Sequence, residues 1–349
     1  MSKTQETKKT TINTSRYKNG NFMGLAFSYE QASTILFGIP WDVTVSTQAG
    51  TGGAPKNILK SSHAVNLFDP AAPELWQKGI FMLPLRKDIS KKNKELRAKV
   101  EEYLDHLEEG GNINDNPKYS QIVARINEEC AILNEWVYQE TSQMLDDGKT
   151  IGLIGGEHSV ALGYLQALAE RFPAFGVLHI DAHAGLTEAY QGFEFSHQSV
   201  IQHIKNIKQV KKIVQVGTRD LSDNEYEIIK KSRGKIKPFL DHDVRQRIYD
   251  GESWKKICAE IINALPQNIY ISIDMDGLNP SLCPNASSPV AGGMEFNELT
   301  YLIESIVASG KQIIGFDVAE AGGNGHDWDG NVAARLIYKI VNQVQKSYI

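Results

Sequence analysis

Alternating strand-like and helix-like runs predict an α/β protein, a three-layer α/β/α architecture built on a mostly parallel central sheet. Three observations carry this. Short apolar runs at 150–154, 176–180, 213–217, 236–240, 269–273 and 312–316 recur along the chain, with helical patterns between most of them, for example at 159–171 and 296–309. Such alternation gives a parallel sheet covered on both faces. Three of the runs end in acids and imidazoles, and strand C-termini in an open α/β sheet share the edge where ligands bind. Finally, 349 residues with 41% hydrophobic and 23% charged content suit one large α/β domain or two small ones. No internal repeat or second boundary is visible, so a single domain is expected over 31–349.

Taken in order, the first 20 residues are rich in Lys, Thr and Asn and almost free of apolar side chains. They lack the apolar core of a signal peptide, and a flexible tail over 1–30 is expected. Ser33–Ile39 reads as the first strand, ended by Pro40-Trp41-Asp42. A Gly-rich loop follows, with Gly50, Gly52, Gly53 and Pro55. It is either an ordinary strand-to-helix turn or part of a site mouth. Residues 86–109 are highly charged, but Leu96, Val100, Leu104 and Leu107 recur at helical spacing, which predicts an amphipathic helix. Asn116-Pro117 supplies an N-cap and a first-turn proline. The next helix presents Ile122, Ile126, Cys130, Leu133 and Val137 on one face, and Gly148 is its C′ residue. Cys130 is thus expected in the core, and the 86–148 block as a helical insertion or cap on the sheet.

Composition narrows the function. A net charge of −5 argues against an overall nucleic-acid-binding surface. No apolar run approaches the ~18–20 residues of a membrane span. Three scattered cysteines form neither a disulfide framework nor a CxxC pair, and a reducing cytoplasm is the expected compartment.

The chemistry lies at three strand ends. Val177–Ile180 runs into Asp181-Ala182-His183, Thr150–Ile154 into Gly155-Gly156-Glu157-His158, and Ile269–Ile273 into Asp274-Met275-Asp276. Residues i and i+2 of an extended segment point the same way, so Asp181 and His183 can address one site, and so can Asp274 and Asp276. Two acids that close repel severely without a cation. With His158 the set is three carboxylates and two imidazoles, which suits Mn²⁺ or another borderline divalent ion. Five ligands exceed the three of a mononuclear catalytic zinc and suggest two ions. Glu157 is expected to support this set from behind, and His179, inside its strand, to be a packed core histidine.

The segments GGEHS (155–159), DAH (181–183), SIDMD (272–276) with Pro280, and DVAE (317–320) resemble the arginase/agmatinase family of ureohydrolases, in the family's order, from about Leu36 to the C-terminus. Phe195-Ser196-His197 and the Trp328–Val332 segment resemble the agmatinase-like branch. The resemblance implies an arginase-like fold and a trimer or hexamer. It implies two Mn²⁺ ions, bridged by Asp181 and Asp274, with His158 at site A and His183 and Asp276 at site B. It further implies that Glu320 pairs with the substrate guanidinium, that His197 moves a proton as the amine departs, and that Asp317 is structural. The implied reaction is hydrolysis of a linear guanidino compound, agmatine-like, to an amine and urea.

The chain also departs from the family. Gly185 stands where the DAHxD pattern supplies a second aspartate to site A, and Glu188 is the nearby acid that could replace it. Asn279 replaces the Asp before the proline, and Ala286-Ser287-Ser288-Pro289 a Gly-Thr-Pro turn. These changes support a second reading, a catalytically impaired relative retained for binding or assembly.

Overall fold

The computed structural model describes residues 20–323 and 325–349. Eight strands form one sheet: β1 (Thr34–Gly38), β2 (Ile80–Met82), β3 (Thr150–Ile154), β4 (Phe175–Ile180), β5 (Val210–Val216), β6 (Ile236–Phe239), β7 (Asn268–Asp274) and β8 (Gln312–Ala319). Their spatial order is β2-β1-β3-β8-β7-β4-β5-β6, and every pairing is parallel. The expected sheet is therefore present, with two refinements. β2 has only three residues, too few for a period to show. β8 runs to Ala319, three residues beyond the apolar run that marked it.

Two hydrophobic cores sandwich the sheet. One holds side chains of α1 (Ala54–Ser62), α8 (Trp254–Ala264), α9 (Phe296–Ala308) and α10 (Asp327–Lys346). The other holds side chains of α2 (Lys87–Glu108), α3 (Pro117–Asp146), α4 (Leu162–Arg171) and α5 (Val200–Ile204). Shorter helices α6 (Asp223–Lys231) and α7 (Asp241–Tyr249) flank β6 in sequence. This is the three-layer α/β/α arrangement the alternation predicts.

The long helix α3 has the termini read from sequence. Asn116 Oδ1 accepts the Lys118 amide at 2.9 Å, with Pro117 at the first helical position. Gly148 closes it at φ 72°, and the Gly148 and Lys149 amides donate to Leu145 O and Met144 O. Cys130 is buried in this layer, as are Val100, Tyr103, Leu104, Leu133 and Val137, so the 86–148 block contributes to a main core.

Most of the expected tail, 1–19, lies outside the described residues. Within the remainder Asn21, Phe22, Met23 and Leu25 are buried, so this part of the expected tail is packed. Asn21 ties it to the sheet: its Nδ2 donates to Leu25 O (2.8 Å) and Ile80 O (3.2 Å), and its Oδ1 accepts the Met82 amide.

Candidate metal centre

The four central strands β3, β8, β7 and β4 are contiguous, and each delivers site residues from its C-terminal end. His158 follows β3, Glu320 follows β8, Asp274 ends β7 with Asp276 two residues on, and Asp181 and His183 follow β4. The DAH and DMD segments close in the same way. In the first, the His183 amide donates to Asp181 Oδ1 (2.6 Å); in the second, the Asp276 amide donates to Asp274 Oδ1 (2.9 Å). A further bond, from the Ala182 amide to Asp276 Oδ1 (3.0 Å), ties the two segments together.

All five candidate ligands converge. His158 Nδ1 lies 3.3 Å from Asp181 Oδ2 and 3.5 Å from Asp274 Oδ2. His183 Nδ1 lies 2.9 Å from Asp276 Oδ2 and 3.5 Å from Asp181 Oδ1. Asp181 therefore turns one oxygen to each histidine. Adjacent ligands of an octahedral ion at about 2.1 Å are about 3.0 Å apart, which these separations approach. The Asp181–His183–Asp276 trio is compact enough to hold one ion. The buried donors also fit a cation chemically, since His158 Nδ1 completes no hydrogen bond of its own.

The electrostatics agree. Burial and the charges of Asp276 and Asp181 push the Asp274 carboxyl well above its ordinary range. Burial, then Asp181, raises Asp276. Burial also works against charged imidazoles here, but Asp181 and Asp276 outweigh it and hold His183 at about 11, while Asp181, Asp274 and Asp317 hold His158 high.

Glu320 sits against this cluster. It is the one non-glycine residue of the site with a left-handed backbone (φ 62°), fixed by its amide donating to Gly156 O at 2.7 Å. Its Oε1 accepts the His158 amide at 2.9 Å, and the Ser287 hydroxyl nearby opposes the rise that burial causes. Oε2 is buried with no partner, and burial raises the group to about 8.

His197 is buried, and neither ring nitrogen has a hydrogen-bond partner. Burial, then the nearby His183, lowers it to about 3, so the ring is neutral. Its amide donates to Thr44 Oγ1 (3.3 Å), while the Thr44 amide donates to Glu157 Oε2 (2.8 Å). Thr44 thus joins the loop after β1 to both histidine-bearing segments. Burial lifts Glu157 to about 7, and the Ser159 hydroxyl donates to it at 2.5 Å.

Helix α2 braces the same loop. Asn93 accepts the Asp42 amide and donates to Asp42 Oδ1, both at 2.7 Å, and Arg97 donates to the carbonyls of Asp42, Val43 and Val45. A cavity of about 850 Å³ lies between α2 and the Gly-rich loop, with Lys56, Lys87 and Lys94 in its wall. None of the converging site residues lines it.

Two expectations need correction. His179 is more than packing: its Nε2 is 2.9 Å from Asp181 Oδ2. The period-2 rule that aligned Asp181 with His183 also aligns His179 with Asp181. Glu188 is exposed and belongs to neither compact ligand group, so it does not stand in for the acid absent at Gly185. Asp317 is buried as a structural residue would be, but it also lies 3.2 Å from His158 Nε2. Ser287 and Thr44 carried no sequence signal, because their roles come from contacts across loops.

Residues 32–344 match the arginase family. The chain belongs to that family. It is 29% identical over 313 residues to an N(1)-aminopropylagmatine ureohydrolase of Thermus thermophilus, covering 90% of each chain. It is 24% identical to an agmatinase of Bacillus anthracis, covering 84% of each. Among solved structures it resembles the agmatine ureohydrolase of Thermoplasma volcanium, with TM-score 0.71, 22% identity and 95% and 96% of the two chains covered. The arginase-family fold expected from the motifs is therefore the fold present. Among the described residues no helix is long and apolar enough to cross a membrane.

Proposed function

We propose that this arginase-family protein is an amidinohydrolase that cleaves a linear guanidino compound, agmatine-like, to an amine and urea. The observation that carries the reading is Glu320, a buried carboxylate with one unpartnered oxygen beside the carboxylate–imidazole cluster. A guanidinium supplies the planar N–H donors such an oxygen lacks, and its charge returns the carboxyl to its ionised form. Relatives named agmatinase and N(1)-aminopropylagmatine ureohydrolase support the same substrate class. The basic cavity beside α2 suits a cationic substrate poorly, so the reading rests on Glu320.

His158, Asp181, His183, Asp274 and Asp276 would hold the divalent ions, taken as Mn²⁺. When bound, such ions supply Lewis-acid charge and a water acidic enough to attack at neutral pH. Glu320 holds the guanidinium carbon in place. His197, neutral and with both nitrogens free, can give a proton from one while taking one at the other as the amine leaves. Thr44 fixes the backbone that carries this ring.

Gly185 favours the second reading, an impaired relative with a binding or assembly role, because it leaves His158, Asp181 and Asp274 as the candidate ligands of site A. Glu320→Gln separates the two. Losing one partner of a buried charged pair costs roughly 3–5 kcal/mol, or about 10²–10⁴-fold. Urea release from agmatine should fall by that factor with Mn²⁺ content unchanged. Absence of urea from the unaltered protein across a guanidino panel would overturn the enzyme reading.

A further inference from the structure

Beneath the candidate ligands runs a second polar layer. The parallel register places Gln215 of β5 beside His179 of β4, His179 beside Ser272 of β7, and Ser272 beside Asp317 of β8. All four are fully buried, a rare concentration of polar side chains at the centre of a sheet. His179 and Ser272 lie two residues before Asp181 and Asp274, on the same side of their strands. The row is therefore the shelf directly under the cluster.

Its hydrogen bonds fix two rings in opposite ways. Gln215 Nε2 donates to Ala184 O at 2.8 Å, a backbone acceptor, which settles which end of the amide faces the rings. The same nitrogen is 3.2 Å from His179 Nδ1. A donor on that side requires a lone pair on Nδ1, so the His179 proton is on Nε2, which faces Asp181 Oδ2 at 2.9 Å without the alignment of a hydrogen bond. For His158, Nε2 faces Ser272 Oγ at 2.7 Å and the Asp317 carboxylate at 3.2 Å. Asp317 beside Nε2 favours the N–H there and leaves Nδ1 as the atom turned toward Asp181 and Asp274.

We infer that the Gln215–His179–Ser272–Asp317 row is a positioning layer that makes His158 a cation ligand and turns the His179 N–H toward Asp181. The geometry groups His158, His179 and Asp181 closely enough to mimic a metal site, and Nε2 of His179 would be the obvious substitute for the ligand absent at Gly185. The Gln215 amide argues against that substitution. His179 instead holds Asp181 in the orientation that splits its two oxygens between His158 and His183. Such supporting partners typically change metal affinity by about 10–100-fold.

The inference rests on the proposed metal centre, and its test separates the two. Magic-angle-spinning ¹⁵N spectra of histidine-labelled protein, with and without Zn²⁺, should show His179 protonated at Nε2 and bare at Nδ1 in both states, with Zn²⁺ shifting Nδ1 of His158. Loss of the His179 Nε2 proton on Zn²⁺ addition, or a proton on its Nδ1, would overturn the inference. If no Zn²⁺ binds, the metal reading fails, yet the His179 tautomer in the metal-free protein still decides this one. In parallel, His179→Leu should weaken Zn²⁺ binding about 10–100-fold without lowering the saturating number of ions. His179→Gln keeps an N–H near the Nε2 position and should restore most of that affinity. One ion fewer per subunit in both variants would make His179 a ligand and refute its positioning role.

Discussion

Gly185→Asp returns an acid to the position where the family pattern has one, and the local geometry gives its cost. Gly185 has φ 65°, so an L-residue there carries left-handed strain of about 1–2 kcal/mol, at the low end for Asp. A Cβ would meet Ile201 Cγ1 at 3.2 Å and Cβ at 3.5 Å, so Ile201 must yield by a few tenths of an ångström. About 1 kcal/mol corresponds to a fall of roughly 2 °C in a chain of this size. Against this, an ion bound only to the native state at 100 times its Kd adds about 2.7 kcal/mol. The two effects have opposite signs, which makes a clear signature. Metal-free Gly185→Asp should melt below the parent and Mn²⁺-loaded Gly185→Asp above it, with more Mn²⁺ per subunit by elemental analysis. An unchanged ion count, with both melts lowered, would refute the idea that Gly185 empties a ligand position.

Two further outcomes are expected. His183 is held at about 11 against burial by Asp181 and Asp276, so a cation must displace its proton and metal affinity should rise with pH. A raised folded-state value stabilises the metal-free fold fully below the ordinary imidazole range near ~6.5, and that stability is lost as pH climbs toward the folded value. Mn²⁺ calorimetry at pH 7.5 should give apparent enthalpies that differ between buffers of unlike ionisation enthalpy; equal values would exclude proton release. Asn93→Ala removes both Asn93–Asp42 bonds and should destabilise by roughly 2–6 kcal/mol at about 1–3 per buried group left unpaired. It should also slow urea release, since the same loop carries Thr44. A melting temperature equal to the parent's would deny α2 its bracing role.

What the sequence disclosed follows the range of each signal. Asp181/His183 and Asp274/Asp276 are local pairs with period 2, and a topological rule brings their strand ends to one edge, so the cluster is legible in the sequence. Helix α3 announced both of its ends through Asn116, Pro117 and Gly148. The supporting layer was not legible, because Gln215, Ser272 and Asp317 acquire meaning only through a register spanning four strands. His179 lay between these cases: its spacing from Asp181 was readable, but the apolar run around it favoured a packing role. Glu320 came from resemblance, and nothing local foretold its left-handed backbone or the Ser287 contact.

The strand order has a consequence for how the chain is made. β3 and β4 are synthesised early and close together in sequence, yet they are separated in the sheet by β8 and β7, which come last. A nascent chain that has produced His158, Asp181 and His183 still lacks the two strands that belong between them. Its early half must leave a gap at the middle of the sheet, with unpaired edges on either side, until about nine tenths of the chain has been made. The proposed five-residue set is complete only once β7 has delivered Asp274 and Asp276, and a polypeptide cut short before β7 has neither a finished sheet nor all five residues.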